Sequence, residues 1–337
     1  MDAERRCFQA GAAMIALAIF LRLVSTGAVG AFFRQPAVLS LIILSETGRW
    51  VRPDAQTVVF SREETEDPPQ AEPEQITTVP EVAAKAVFSG ADAGLVEVNS
   101  VCGYSVDVQT LLSMPLDWNL TEGGPAVLIV HSHGSESYRK TEDYQESSAY
   151  RTLDPKYNVV SVGDRITEIL EAGGVEVIHD KTLHDYPSYN SAYGESRNSV
   201  SDYLQQYPSI RVVLDIHRDA VESADGKQLA YTVGMGEKQV AQLMMVVGTD
   251  AGGLTHPNWK DNMALAVKLH AQLEKLVPGI CRPISFRTQR FNQDLSPGAI
   301  LIEVGAAGNT RQEALLAAEQ LSAGLLALAY GTEGDLV

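Results

Sequence analysis

The sequence predicts an α/β fold, a mostly parallel central sheet flanked by helices on both faces, and three observations carry that expectation. Apolar-rich runs of strand length recur between residues 125 and 332, at Val127–Val130, Arg211–Ile216, Leu243–Val247 and Ala299–Val304. Segments with helical periodicity separate them, an alternation that needs crossover connections and so favours parallel pairing. Three of the runs end in side chains that can do chemistry, where ligands sit in open parallel sheets, at the carboxyl ends of the strands.

Taken in order, the chain begins with a segment outside that fold. Arg5 and Arg6 precede an apolar stretch, Ala12–Phe33, broken by the single charge of Arg22. The stretch is long enough to cross a bilayer, which takes about 20 residues, and the basic flank predicts that the bulk of the chain lies outside the cytoplasm. The alternative is a cleaved signal, with Gly27–Ala31 offering small residues near a cut. Residues 1–35 are therefore read as a membrane anchor or signal in the cell membrane. Residues 36–85 are a juxtamembrane segment and linker: Ala37–Ser45 is too short to cross again, and Arg62–Glu81 holds seven acidic residues and four prolines. Such a composition buries too little surface to offset its ordering entropy.

Residues 86–124 form a short β lead-in, with strands expected at Val96–Val98 and Tyr104–Val108. The catalytic domain is placed at 125–332. After the Val127–Val130 strand, Val159–Glu171 sets Val162, Ile166, Ile169 and Leu170 on one helical face and stops at Gly173–Gly174. Val175–Ile178 is a strand, Ser196–Tyr207 a helix ended by Pro208, and Arg211–Ile216 a buried strand. Leu243–Val247 is followed by a long helix, Asn258–Leu276, striped by Met263, Ala266, Val267 and Leu273. Ala299–Val304 and a final helix, Arg311–Leu328, close the pattern.

The chemistry gathers at three strand endings: His131, His133 and Glu136 after the first, His217–Arg218–Asp219 after the second, and Glu303 within the last. The separations, 84 residues from His133 to His217 and 86 from His217 to Glu303, hide this from any local motif. Two histidines and a carboxylate with an open fourth position suit catalytic Zn2+, which acidifies bound water and polarises an amide carbonyl. Glu303 suits a proton carrier, because burial in an apolar strand raises a carboxyl towards the working range. Arg218 or Asn309 is expected to hold the oxyanion or a substrate carboxylate.

Plainer readings stand beside these. A strand-end histidine is commonly just hydrogen-bonded, Glu136 fits a solvated loop, and His217–Arg218–Asp219 fits a salt-bridged turn. His179, His184, His256 and His270 read as structural or exposed, and Tyr186, Tyr189 and Tyr193 either line a groove or pack on the sheet. A serine hydrolase is disfavoured by the lack of a GxSxG elbow. The formal charge of −17 leaves no basic face for nucleic acid. Cys7, Cys102 and Cys281, odd in number and without CxxC spacing, suggest neither a disulfide framework nor a zinc knuckle.

The residues also carry a resemblance. VLIVHSHGSESY (127–138), YNVVSVG (157–163), VIHDKTLHDYPSY (177–189), VLDIHRDA (213–220), VVGT and HPNW (246–249 and 256–259), RFNQ (290–293) and SPGAILIEVGAAGNT (296–310) run in the order of the stage II sporulation protein P family. The anchor and acidic linker resemble that family's layout too. The resemblance implies a membrane-anchored peptidoglycan hydrolase acting during engulfment in endospore formers, with amidase and endopeptidase activities, and implies stage II sporulation proteins D and M as partners. It also implies kinship with zinc-dependent N-acetylmuramoyl-L-alanine amidases. Their strand-end glycine-histidine-glycine-glycine resembles Ser132–Ser135, giving His133 as first ligand; His217 matches a second, and Glu303–Asn309 the catalytic glutamate context. Where amidases carry a glutamate ligand at the start of the next helix, this chain has Lys156–Tyr157–Asn158, so Glu136, or else His131, is expected as the third ligand. The expected reaction is cleavage of the N-acetylmuramoyl-L-alanine amide. A zinc endopeptidase on peptidoglycan cross-links and a non-catalytic wall-binding scaffold are the alternatives.

Overall fold

The computed structural model describes residues 86–142, 144 and 150–332. The expected anchor or signal, the Ala37–Ser45 run and the acidic linker lie outside the described residues. No helix among the described residues is long and apolar enough to cross a membrane. In chain order the elements are β1 (Val98–Ser100), α1 (Val108–Ser113), β2 (Val127–Val130), α2 (Val160–Ala172), β3 (Val177–His179), α3 (Ala192–Gln206), β4 (Val212–Asp219), β5 (Thr232–Met235), β6 (Lys238–Ala241), β7 (Leu243–Val247), α4 (Trp259–Leu276), β8 (Ile284–Phe286), β9 (Ala299–Ala306) and α5 (Arg311–Ala327).

Seven strands form one sheet in the order β1-β8-β7-β9-β4-β2-β3, and β5 and β6 pair separately as a hairpin. All neighbours in the large sheet are parallel except β7, which runs antiparallel to β9. The mostly parallel α/β class is thus the observed one. Alternation along the central strands divides the core. Ile129, Leu214, Ile216, Ile300 and Ile302 face a large cluster that includes Val162 and Ile166 of α2, Leu265 and Leu269 of α4, and Leu321 of α5. Leu128, Val130 and Val213 face a smaller cluster with Val200 of α3. Helices therefore cover both faces unequally.

The structure differs from the sequence expectation at the edges. Tyr104–Val108 is not a strand: the Asp107 carboxylate accepts from the backbone N–H groups of Gln109 and Thr110 and so caps α1. The lead-in supplies edge strand β1, paired with β8 from Val98 to Ser100. Strand β4 runs three residues beyond Ile216, because its ladder with β9 continues through the pair His217–Glu303. At the other end of the fold, α5 starts with a capping box in which Thr310 and Glu313 each satisfy the other's backbone N–H.

One charge lies inside the helical layer. Lys268 of α4 is fully buried, donates to the Leu112 carbonyl at the end of α1, and lies over the Phe88 ring. Burial lowers its ammonium to about 8. The folded chain then holds this proton more weakly than the unfolded chain, which binds it up to about pH 10.4. Stability should rise with pH in that window. Denaturant titrations of Lys268→Met and wild type are expected to shift in favour of wild type from pH 8 to 10, by at most about tenfold in the folding equilibrium per pH unit. A constant difference across that range would show that Lys268 does not titrate there.

Candidate metal centre and active site

Strands β2, β4 and β9 are adjacent and parallel, so their carboxyl ends meet on one edge. Beyond Val130 the chain leaves the sheet and turns, with the Glu136 N–H donating to the His133 carbonyl at 3.1 Å. Two carboxylates pin the turn. Asp215 accepts from the Ser132 N–H (2.8 Å) and hydroxyl (2.6 Å), and Asp185 accepts from the Ser135 N–H (3.1 Å) and hydroxyl (2.5 Å).

The turn brings His133 and Glu136 to His217, and one ligand atom from each of the three lies within 4.8 Å of the others. Glu136 is the hub. Its Oε1 lies 3.7 Å from His133 Nδ1, and its Oε2 lies 3.4 Å from His217 Nδ1 and accepts from the Arg218 N–H at 3.2 Å. Burial alone would raise the Glu136 carboxyl, but His217 and Arg218 outweigh it and hold it at about 2. The opposite holds for His217. Burial disfavours its charge, yet Asp215 and Glu136 on either side of the ring push its pKa well above the usual value. Burial lowers His133.

Glu303 stands directly across the β4–β9 ladder from His217, on the same sheet face. Its Oε2 is buried without a hydrogen-bond partner. Burial pushes this carboxyl up to about 8 against the opposing pull of His217. A buried, unpaired carboxyl oxygen beside a charged cluster is costly unless the site gives it work. Aromatic rings wall the cluster. Tyr189 stacks on His133 with centroids 4.4 Å apart, Tyr193 of α3 meets the same ring edge-on at 5.4 Å, and the Arg151 guanidinium lies 4.7 Å from the Tyr189 centroid. Tyr186 is exposed.

Three expectations are corrected. His131 stands apart from the cluster, fully buried against α2, with Nδ1 2.9 Å from the Ile216 carbonyl and Nε2 2.8 Å from His179 Nε2. Both nitrogens are engaged, and a Cβ at Gly163 would come within 2.9 Å of this ring, so His131 has no lone pair aimed at the cluster. Arg218 does not offer its fork to an oxyanion. Its Nε donates to the Ser137 carbonyl (2.8 Å), its Nη2 to the Tyr150 carbonyl (2.7 Å), and its Nη1 lies 3.9 Å from Glu136 Oε1. It braces Glu136 and the loop. Asn309 is likewise spent, accepting from the Ala306 and Tyr231 N–H groups and donating to Glu313 and the Tyr231 carbonyl. Among the other histidines, His179 pairs with Asp164 and His184 with Asp180, while His256 and His270 are buried.

Sequence reasoning missed Asp215, Arg151 and Asp185. Arg151 reaches both Asp185 (2.7 Å) and Glu136 (3.4 Å). Asp215 was findable, since a strand with period 2 puts it on the face of His217. Two imidazoles, one half-buried and one buried, with a buried ionised carboxylate fit a three-ligand zinc site with a free fourth position, beside a carboxyl whose Oε2 has no partner.

The family model of stage II sporulation protein P matches residues 52–326. Stage II sporulation protein P of Bacillus subtilis (strain 168) is 30% identical over 200 residues, which cover 56% of this chain and 47% of that protein. The match thus spans about half the length of that curated relative. Among solved structures, the N-acetylmuramoyl-L-alanine amidase AmiC2 of Nostoc punctiforme is 16% identical with a TM-score of 0.39, over 61% of this chain and 97% of that one. The CwlD amidase of Clostridioides difficile, solved in complex with the GerS lipoprotein, is 14% identical with a TM-score of 0.37, over 61% and 95%.

Proposed function

Because this chain belongs to the stage II sporulation protein P family, we propose that it is an exported, membrane-anchored peptidoglycan hydrolase of sporulation that uses zinc to cleave the amide between the muramic acid lactyl group and L-alanine. The observation that carries this reading is the meeting of His133, Glu136 and His217 within 4.8 Å, with Glu303 in register beside them. Zinc held by His133, Glu136 and His217 would supply an acidified water and polarise the scissile carbonyl. Glu303 takes the proton of the attacking water and returns it to the departing nitrogen. Water is consumed, the C–N bond breaks, and a carboxylate and an amine remain. The raised Glu303 carboxyl is suited to both halves of that transfer. Tyr189, Tyr193 and Arg151 bound the space where the substrate's stem would lie. Action alongside stage II sporulation proteins D and M belongs to the same proposal and rests on family membership.

Two measurements on the full chain in detergent test it. One zinc per chain is expected by elemental mass spectrometry, and muropeptide analysis of treated sacculi is expected to yield glycan strands free of peptide together with intact stems. Cut cross-links with stems still on the glycan would replace the amidase reading by an endopeptidase one. No zinc and no released fragment would leave a wall-binding scaffold.

A further inference from the structure

One carboxylate in the cluster is not a ligand in the proposed site and has no role in the proton transfer. Asp215 lies two residues before His217 on β4, buried on the same face. Its Oδ1 is 2.8 Å from His217 Nε2, on the side of the ring away from Glu136, which lies 3.4 Å from Nδ1. The two nitrogens of one imidazole are thus divided between two carboxylates. Asp215 is itself tied down: it accepts both donors of Ser132, whose hydroxyl lies 2.8 Å from the Ser196 hydroxyl of α3. Asn292 donates to Ser196 and to the Tyr193 carbonyl, and so fastens the far end of the chain.

We propose that Asp215 is a positioning residue that accepts from His217 Nε2–H and so turns Nδ1 towards Glu136, leaving Nδ1 as the nitrogen through which the ring would enter a metal shell. This rests on the zinc reading above. A metal-bound imidazole needs its other nitrogen protonated and aimed at an acceptor, and a carboxylate there both sets the ring angle and makes the nitrogen more basic. The network from Asn292 through Ser196 and Ser132 fixes the carboxylate before any ion arrives. Through Ser132, the same carboxylate sets the start of the turn that carries His133 and Glu136. Asp215 therefore sets both sides of the site from a place where it meets neither substrate nor ion.

The test uses the full chain in detergent, labelled with nitrogen-15 histidine and loaded with cadmium-113. The His217 resonances, assigned by their loss in His217→Gln, are expected to show cadmium coupling on Nδ1 and a bound proton on Nε2. A purely structural Asp215 would not set that pattern. Asp215→Asn keeps an acceptor for Ser132 and is expected to stay folded by circular dichroism. It should lose the Nε2 proton signal and bind zinc roughly 10–100-fold more weakly in chelator competition. Cadmium coupling on Nε2, or unchanged zinc affinity in Asp215→Asn, overturns the assignment while leaving the zinc centre standing. A wild-type chain that takes up neither ion brings down the metal centre itself, and the assignment with it.

Discussion

Glu303→Gln is expected to lower the rate of stem-peptide release from purified sacculi by roughly 10²–10⁴, the usual contribution of a positioned acid-base group. Zinc content and fold should be unchanged. The two halves of that result come from one geometry. Glu303 shares a sheet face and a register position with His217 but is not in the group His133, Glu136 and His217, so its loss leaves the three ligand atoms in place. Glutamine keeps the shape of the side chain yet cannot accept and return a proton. Burial already favours the neutral form of the Glu303 carboxyl, so a neutral amide there is not expected to unfold the variant. Zinc analysis, circular dichroism and the release assay on one preparation separate the effects. A variant that releases stems at the wild-type rate would remove Glu303 from the chemistry and leave the proton transfer to another group.

How far the sequence reaches depends on what each element rests on. Strands β2 and β7 were legible because every residue of VLIV, and nearly every one of LMMVV, is buried, and a run of that kind has few other places to go. Strands β1 and β8 have three residues each, β5 alternates exposed and half-buried positions, and β6 passes from exposed Lys238 and Gln239 to buried Val240 and Ala241. Pairing partners far along the chain define β1 and β8, and periodicity cannot see them. The same limit explains the extension of β4 through His217 and Arg218, which are polar in sequence and buried by neighbours brought from 80 residues away.

The site divides along similar lines. His133, His217 and Glu303 are marked by their strand endings, whereas Glu136, or else His131, is expected as third ligand only because Lys156–Tyr157–Asn158 stand where amidases carry a glutamate. The fold separates the two, because the strand stops at Val130. His131 still points with Ile129 into the helical layer, whereas the turn closed by the Glu136 N–H swings His133 and Glu136 together. The turn depends on Asp215 and Asp185, one on a later strand and one in a later loop, so nothing local in HSHGSE announces it.

Arg218→Met is the other variant with a large expected effect, and it separates bracing from catalysis. Arg218 is 4% exposed and serves three partners at once: the Ser137 and Tyr150 carbonyls and the Glu136 carboxylate. Methionine fills much of the volume but takes the Arg218 donor from the Ser137 carbonyl, leaves the Tyr150 carbonyl with the Ser137 N–H, and leaves a buried carboxylate with less positive charge nearby. Breaking a buried pair from one side costs roughly 3–5 kcal/mol, because the surviving charge is left uncompensated. Glu136 keeps Arg151 and His217, which argues for the lower end. At about 2–4 °C per kcal/mol for a domain of this size, the melting midpoint should fall on the order of 10 °C. Zinc should bind more weakly as well, since Glu136 loses the guanidinium and keeps from this residue the backbone N–H alone. Arg218→Lys is expected to recover little, because one ammonium cannot reproduce a planar fork spanning two carbonyls and a carboxylate. If Arg218→Met instead melts like wild type, binds zinc as tightly and loses only turnover, the guanidinium acts on the reacting atoms after all, and the bracing contacts are incidental.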